Sequence, residues 1–136
     1  MFRDSREDAG VATRMGQPVT GIWLGAAAQG EGAAVPSQIA DQLRGKEFRN
    51  FRAFREAFWK AVANDSGLAK QFVRNNISEM KSGRSPFVRK GDRVGGKVKY
   101  ELHHITYVSV GGLVFDIDNI RAVTPKRHDQ IHAEGE

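Results

Sequence analysis

Two short segments, YELHHITY at residues 100–107 and TPKRHDQIH at residues 124–132, hold every histidine of this chain. The chain has 136 residues and four histidines, two in each segment. In the first segment the two histidines are adjacent, whereas in the second they are four residues apart. Neutral imidazole nitrogens are good ligands for zinc and related metals, so this distribution indicates a metal site near the C-terminus.

The first segment is predicted to lie on a strand. KVKYELHH, residues 97–104, carries valine and tyrosine among charged residues, which is typical of a half-exposed strand. The glycines of VGGL, residues 110–113, allow a turn or bulge, and NIRAVT, residues 119–124, predicts a second strand running back. Adjacent side chains on a strand point to opposite faces, so His103 and His104 are not expected to bind the same ion. One is a candidate ligand and the other a candidate base, and the periodicity does not decide which.

The second segment predicts a closing helix. Thr124 is a good N-cap and Pro125 suits the first helical position. His128 and His132 would then lie one above the other on the same helix face. With one strand histidine they would provide three protein ligands and leave an open position for water or substrate, as in catalytic zinc sites. The chain has no cysteine, so a closed site would need the fourth histidine or a carboxylate such as Glu101.

The first two thirds of the chain predict a small helical scaffold. Asn50 can cap the strongest helix, in which apolar residues recur at three- and four-residue spacing. This stripe, to which we assign no chemistry, comprises Phe51, Phe54, Phe58 and Val62. Shorter helices are expected within SQIADQLR (37–44), NDSGLAKQFV (64–73) and ISEMKSG (77–83). Residues 1–35 are expected to be mostly loop, with room for one short helix around TGIWLGAAAQG (20–30), and Trp23 and Leu24 are expected to anchor this segment.

Composition and charge narrow the possible functions. A hydrophobic fraction of 40% in 136 residues fits one globular domain. The sequence has no apolar run near the roughly 18 residues of a membrane span, and its N-terminus lacks a signal-peptide layout. The net charge of +5 suggests an anionic partner, with nucleic acid as the first candidate. The basic cluster between Lys81 and Lys99 is either a solvated face or part of a binding surface.

Several segments together resemble a known family. ELHH (101–104), FDIDNI (115–120) and TPKRHDQIH resemble the HNH, or ββα-metal, nuclease motif of the DNase domains of colicins and S-type pyocins. GQPVTGIWL, VPSQIADQLRGKEF, FRAFREAFWKAV and SPFVRKGDRVGGK are similar to other stretches of this family, so the resemblance runs from about Gly10 to the C-terminus. It implies one α+β nuclease domain over residues 1–136: a linker at 1–9, a mainly helical scaffold at 10–96 and the HNH motif at 97–136.

The resemblance implies a role for each histidine. His103, His128 and His132 would bind one divalent metal ion, and His104 would be the general base that activates water. Zinc is the expected bound ion, with magnesium, nickel and cobalt as candidates for the active ion. The backbone carbonyl of Asn119 would orient the His104 ring.

Charged residues near the motif receive roles in the same way. Arg6 would reach the scissile phosphate, and Glu101 would help to set the geometry of the site. Lys97 stands where the family often has arginine and lacks the bidentate guanidinium, so we rank it below Arg6. Lys126 and Arg127 are further candidate DNA contacts.

The implied function is a metal-dependent, largely sequence-nonspecific DNA endonuclease that forms the killing domain of a bacteriocin. The toxin would be released by its producer without a signal peptide and would act in the cytoplasm of the target bacterium. Its expected partners are DNA and a small acidic immunity protein that forms a tight heterodimer. Alternatives are an RNase or tRNase toxin domain, a non-catalytic zinc-pinned DNA-binding module, and a structural zinc domain in a larger assembly.

The candidate immunity-protein surface lies within residues 72–99. Phe87 resembles an exposed aromatic anchor, although an ordinary core phenylalanine is the alternative interpretation. The polar and basic residues expected around it are Asn75, Asn76, Ser78, Ser85, Arg89, Lys90 and Lys99.

Overall fold

The computed structural model describes residues 4–134, so the first three residues of the expected linker and the last two of the expected motif lie outside it. The fold is α+β, as expected. In chain order the α-helices and strands are β1 (Gly10–Val11), β2 (Ala33–Ala34), α1 (Ser37–Leu43), β3 (Glu47–Phe48), α2 (Phe51–Asn64), α3 (Ser66–Ala69), α4 (Arg74–Lys81), β4 (Glu101–His104), β5 (Ile120–Val123) and α5 (Pro125–Glu134). A 3-10 helix at Trp23–Ala28 lies between β1 and β2, where the sequence allows a short helix.

Helix α2 forms the centre of the hydrophobic core. Its N-cap is Asn50, whose Oδ1 accepts a hydrogen bond from the Ala53 N–H at 2.9 Å. Phe54 and Phe58 are fully buried on the predicted apolar face, and Trp59 beside them is equally buried. The predicted apolar stripe is therefore confirmed as core. It provides the surface against which the other elements pack.

The N-terminal segment contains more regular structure than the sequence predicts. β1 pairs antiparallel with β3, and β2 pairs antiparallel with β5 at the edge of a three-stranded sheet. The expectation of mostly loop over residues 1–35 is wrong for these two strands, because a two-residue strand has no periodicity to detect. Trp23 and Leu24 are buried as expected, and the Trp23 indole N–H donates to the Ala34 carbonyl at 2.7 Å.

Strands β4 and β5 and helix α5 form the predicted ββα unit. β4 and β5 are antiparallel, with Glu101 opposite Val123 and His104 opposite Ile120. The first strand is shorter than the predicted 97–104. Helix α5 begins at Pro125, and the Thr124 hydroxyl accepts from the Arg127 N–H at 3.1 Å, which confirms the predicted cap. Among the helices of residues 4–134, none is long and apolar enough to cross a membrane.

Candidate active site

All four histidines line one open cleft. β4 places His103 and His104 at its floor, and α5 places His128 and His132 on one side. The start of α2, the N-terminal turn at Ser5–Glu7 and the loop after β4 complete the walls. The two distant histidine segments therefore do converge, as the sequence predicts.

His103 is buried and holds a free lone pair. Its side chain is 6% exposed, and its Nε2 lies 2.9 Å from the Glu31 carbonyl oxygen. Because a carbonyl can only accept, Nε2 carries the proton and Nδ1 carries the lone pair. Within the described part of the chain this buried Nδ1 has no hydrogen-bond partner. Burial lowers the pKa of His103, although the Glu31 hydrogen bond opposes the shift, so the neutral, metal-binding form is favoured.

His128 is oriented by a carboxylate. Its Nδ1 lies 2.7 Å from Glu101 Oε1, so Nδ1 donates and Nε2 is left with the lone pair. The hydrogen bond from His128 is the main reason that the pKa of Glu101 is lowered. A carboxylate that fixes the tautomer and direction of a histidine is a common arrangement around metal ligands. This supports the expected role of Glu101 in the geometry of the site.

His132 completes the cluster. Its Nε2 lies 3.0 Å from His128 Nε2, and its ring centroid lies 4.7 Å from that of His128. The rings of His103 and His128 are 5.3 Å apart between centroids. Over residues 4–134, no group of three or more His, Asp or Glu side chains has the geometry to hold a metal ion as it stands. The donor chemistry fits a metal, but the rings would have to shift to share one ion.

His104 lines the same cleft but makes different contacts from the other three histidines. It is 7% exposed, and its Nε2 donates to the Val114 carbonyl at 2.9 Å. Its ring packs against Phe51, with 4.8 Å between centroids. Burial lowers the pKa of His104, the Val114 hydrogen bond opposes this, and the charge of Arg6 lowers it further. The result is a neutral, fixed imidazole whose Nδ1 can accept a proton.

A contact between the Asn119 carbonyl and the His104 ring is not among the hydrogen bonds of residues 4–134. That carbonyl accepts from the Ile105 N–H at 2.9 Å, which continues the β4–β5 pairing, and Val114 supplies the contact to the His104 ring. The Asn119 side chain instead bonds to both the N–H and the carbonyl of Thr106, at 2.8 and 3.1 Å. The Asn119 side chain therefore fixes the loop that follows β4.

Arg6 lines the cleft with the histidines. Its guanidinium forms an ion pair with Asp4 at 2.9 Å, and hydrogen bonds from Arg6 lower the pKa of Asp4. Arg6 is 56% exposed, so a phosphate could replace Asp4 as its partner. Lys97 lies further out, with its Nζ 3.9 Å from Asp129.

The two basic residues predicted to contact DNA from α5 differ in their exposure to solvent. Lys126 is exposed to solvent. The Arg127 side chain is 16% exposed and donates to the Gly30 carbonyl at 2.9 Å and to Glu134 at 3.0 Å. A DNA contact by Arg127 would break these bonds, so Lys126 is the better candidate.

Sequence reasoning missed three groups in the cleft. Arg52 and Arg55 line it from the exposed face of α2, although the sequence assigned that helix no chemistry. Their spacing of three residues on the face opposite the phenylalanine stripe was the available signal. Tyr107 lines the cleft beside His132.

Part of the predicted partner surface also comes together. Phe87 is half-buried, its N–H donates to Asn76 Oδ1 at 3.0 Å, and Lys99 Nζ lies 4.8 Å above its ring. Phe87 is thus neither a fully buried core residue nor a free anchor. Around it, Ser85 is half-buried, and the remaining predicted residues are exposed: Asn75, Ser78, Arg89 and Lys90.

Comparison with known proteins gives a consistent result. The family model described as "Colicin/Pyocin-S2, DNase domain" matches residues 10–134. The chain is 56% identical to Pyocin-S1 of Pseudomonas aeruginosa over 99% of this chain and 22% of that protein. It is 49% identical to Colicin-E2 of Escherichia coli over 90% of this chain and 21% of that protein. The chain thus spans about a fifth of the length of these curated relatives.

Solved structures of similar proteins cover at least nine tenths of this chain. The mutant nuclease domain of pyocin S8, solved with its cognate immunity protein, has a TM-score of 0.88 and 57% identity, covering 90% of this chain and 98% of that one. The pyocin AP41 DNase–immunity complex has a TM-score of 0.90 and 48% identity, covering 93% and 99% respectively.

Proposed function

This chain belongs to the colicin/pyocin DNase-domain family, and we propose that it is a metal-dependent, largely sequence-nonspecific DNA endonuclease that acts as the killing domain of a bacteriocin. One observation carries the proposal beyond family membership. A fixed, neutral imidazole, His104, lies in the same cleft as three imidazoles that each have a nitrogen able to bind a cation.

We assign metal binding to His103, His128 and His132. Glu31 and Glu101 hold the first two in tautomers that leave one nitrogen unprotonated, and the buried lone pair of His103 Nδ1 would gain a partner. A bound divalent ion would supply positive charge to the phosphoryl oxygens and to the leaving 3′ oxygen. Zinc suits three imidazoles, and magnesium, nickel and cobalt remain candidates for the active ion.

His104 would take the proton from the attacking water. The Val114 carbonyl keeps the proton on Nε2, so Nδ1 is the basic nitrogen. Packing against Phe51 limits rotation of the ring. The lowered pKa keeps His104 neutral at neutral pH, which is the form a general base requires.

Cationic side chains would hold the DNA backbone. Arg6 would leave Asp4 and contact the scissile phosphate, where it adds a second positive group. Arg52 and Arg55 on the cleft wall and Lys126 on α5 would contact flanking phosphates. Such contacts do not read bases, so binding would be salt-sensitive and mostly independent of sequence. In-line attack by water would leave 5′-phosphate and 3′-hydroxyl ends.

The partner would be a small acidic immunity protein. Two solved relatives are complexes with immunity proteins, and their nuclease chains align with nearly all of this chain. The candidate surface combines the half-buried Phe87 with the cation of Lys99 above it and exposed basic residues beside it. This mixture of an aromatic group and positive charge suits an acidic protein. The complete toxin would act in the cytoplasm of the target cell.

A plasmid-nicking assay tests the proposed activity. Supercoiled DNA should be nicked when a divalent metal is present, and a chelator should stop the reaction. A parallel preparation of His104→Ala controls for contaminating nucleases, and structured RNA under the same conditions tests the alternative substrate. Preferential cleavage of RNA would favour an RNase toxin, whereas DNA binding without cleavage would favour a non-catalytic binding module.

A further inference from the structure

The three proposed metal ligands are supported in different ways. Glu31 holds His103 through a carbonyl, and Glu101 holds His128 through a carboxylate. His132 lies in the last turns of α5 and is exposed. Among the hydrogen bonds of residues 4–134, the only one that involves its ring joins His132 Nε2 to Nε2 of His128, another proposed ligand. His132 therefore lacks the kind of polar partner that fixes the other two.

An aromatic ring, that of Tyr107, holds His132 where a polar partner holds the other two histidines. Its ring lies against the His132 ring with 5.2 Å between centroids and 25° between planes, an offset stack. Tyr107 is half-buried and reaches the cleft from the loop between β4 and β5, whereas His132 comes from α5. The stack thus joins the loop to the exposed end of the helix.

The loop holds Tyr107 in place through its backbone. The Tyr107 carbonyl accepts hydrogen bonds from the N–H groups of Val110 and Gly112, both at 3.0 Å. A Cβ at Gly112 would lie 1.9 Å from the Thr106 carbonyl oxygen, so only glycine fits there. Gly111 beside it has φ +98°. The Gly-Gly pair therefore closes the loop in the form that presents Tyr107 to α5.

We propose that Tyr107 is the positioning residue of His132: its ring holds the imidazole beside His128 before metal binds. The inference rests on the proposed metal-binding role of the three histidines. Because an exposed histidine otherwise samples several rotamers, the stack lowers the entropy lost when the ligand is ordered. The contact is made by the ring face, so phenylalanine should replace tyrosine and leucine should not.

Two measurements on the same variants test this inference. In the metal-free protein, NMR should show the His132 ring protons shifted upfield by the Tyr107 ring in the wild type and in Tyr107→Phe. The shift should disappear in Tyr107→Leu, while the His128 signals change little. A zinc titration should give wild-type affinity for Tyr107→Phe and roughly tenfold weaker binding for Tyr107→Leu, the lower end of the 10–100-fold losses seen when outer-shell partners are removed.

Val110→Ala is the matched control, since Val110 lies in the same loop and is 73% exposed. Its zinc affinity should equal that of the wild type. If the wild type binds zinc and Tyr107→Leu binds it equally well, the inference is wrong and the proposed function stands. A loss of affinity in Tyr107→Phe equal to that in Tyr107→Leu would also overturn it. If the wild type binds no zinc, the metal-binding proposal fails and this inference fails with it.

Discussion

The core around α2 and the ββα unit both contain buried side chains, but those of the core are apolar and those of the ββα unit include polar imidazoles. Phe54 and Phe58 are fully buried among other aromatic rings, whereas His103 and His104 are 6% and 7% exposed and polar. Burying an aromatic ring stabilises the fold, whereas burying an imidazole costs free energy unless its nitrogens find partners. The core around α2 therefore stabilises the fold, and this stability offsets the cost of burying the histidines of the ββα unit in fixed positions.

Each region contains one buried nitrogen without a hydrogen-bond partner among the described residues: Trp59 Nε1 and His103 Nδ1. The indole nitrogen is only a donor, so it cannot bind a cation. His103 Nδ1 carries a lone pair, and the His103 ring neighbours the His128 ring, which in turn neighbours the His132 ring. An unpaired buried nitrogen therefore indicates a metal site only where it carries a lone pair and other candidate ligands lie nearby.

The largest effect is expected in the ββα unit. His104→Ala should reduce DNA cleavage about 100- to 10,000-fold, the range for removing a general base. The variant should still fold, with a somewhat lower midpoint of thermal unfolding, because it loses the packing against Phe51 and the hydrogen bond to Val114. Plasmid nicking and a melting curve on one preparation measure both. Retention of a tenth of the wild-type rate would exclude His104 as the base.

The complementary change in the core is Phe54→Ala. Loss of a fully buried phenylalanine should lower the free energy of unfolding by about 3–5 kcal/mol. Urea denaturation measures this, and zinc titration of the folded fraction should show unchanged affinity. A large loss of zinc affinity in the folded fraction would mean that the metal site depends directly on packing in the core around α2.

Glu101→Ala should weaken metal binding and leave the general base, His104, unchanged. Removing the partner of His128 Nδ1 should weaken zinc binding roughly 10- to 100-fold. Glu101→Gln keeps an acceptor oxygen without the charge and should lose less. Calorimetric titration compares the two variants with the wild type. Equal affinities in all three proteins would remove Glu101 from the metal site.

The smallest effect should come from the two helix caps. Asn50→Ala at α2 and Thr124→Ala at α5 should each lower the free energy of unfolding by about 1 kcal/mol. Only Thr124→Ala should also weaken zinc binding, because α5 carries two of the proposed ligands. Urea denaturation and zinc titration of both variants give the comparison. A weaker zinc site in Asn50→Ala would contradict it.

The sequence predicts best what depends on local periodicity and capping. The apolar stripe and Asn50 predict α2, and Thr124 with Pro125 predicts α5 at its observed start. The convergence of the histidines also follows from local pattern, because β4 leads through β5 directly into α5.

Long-range backbone contacts account for most of what the sequence does not predict. The two-residue strands β1 and β2 exist only through their partners. The hydrogen-bond partner of His104 Nε2 is the backbone carbonyl of Val114 and not a side chain. Glu31, which is 72 residues from His103, acts through its carbonyl, and no side-chain pattern reports such a contact.

Zinc titration of four single variants tests whether three imidazoles bind one ion while the fourth stays free. The wild type should bind one equivalent of zinc, and His103→Ala, His128→Ala and His132→Ala should each bind it far more weakly. His104→Ala should keep one equivalent at wild-type affinity. Loss of zinc binding in His104→Ala, or unchanged affinity in any of the other three, would contradict the proposed division of roles.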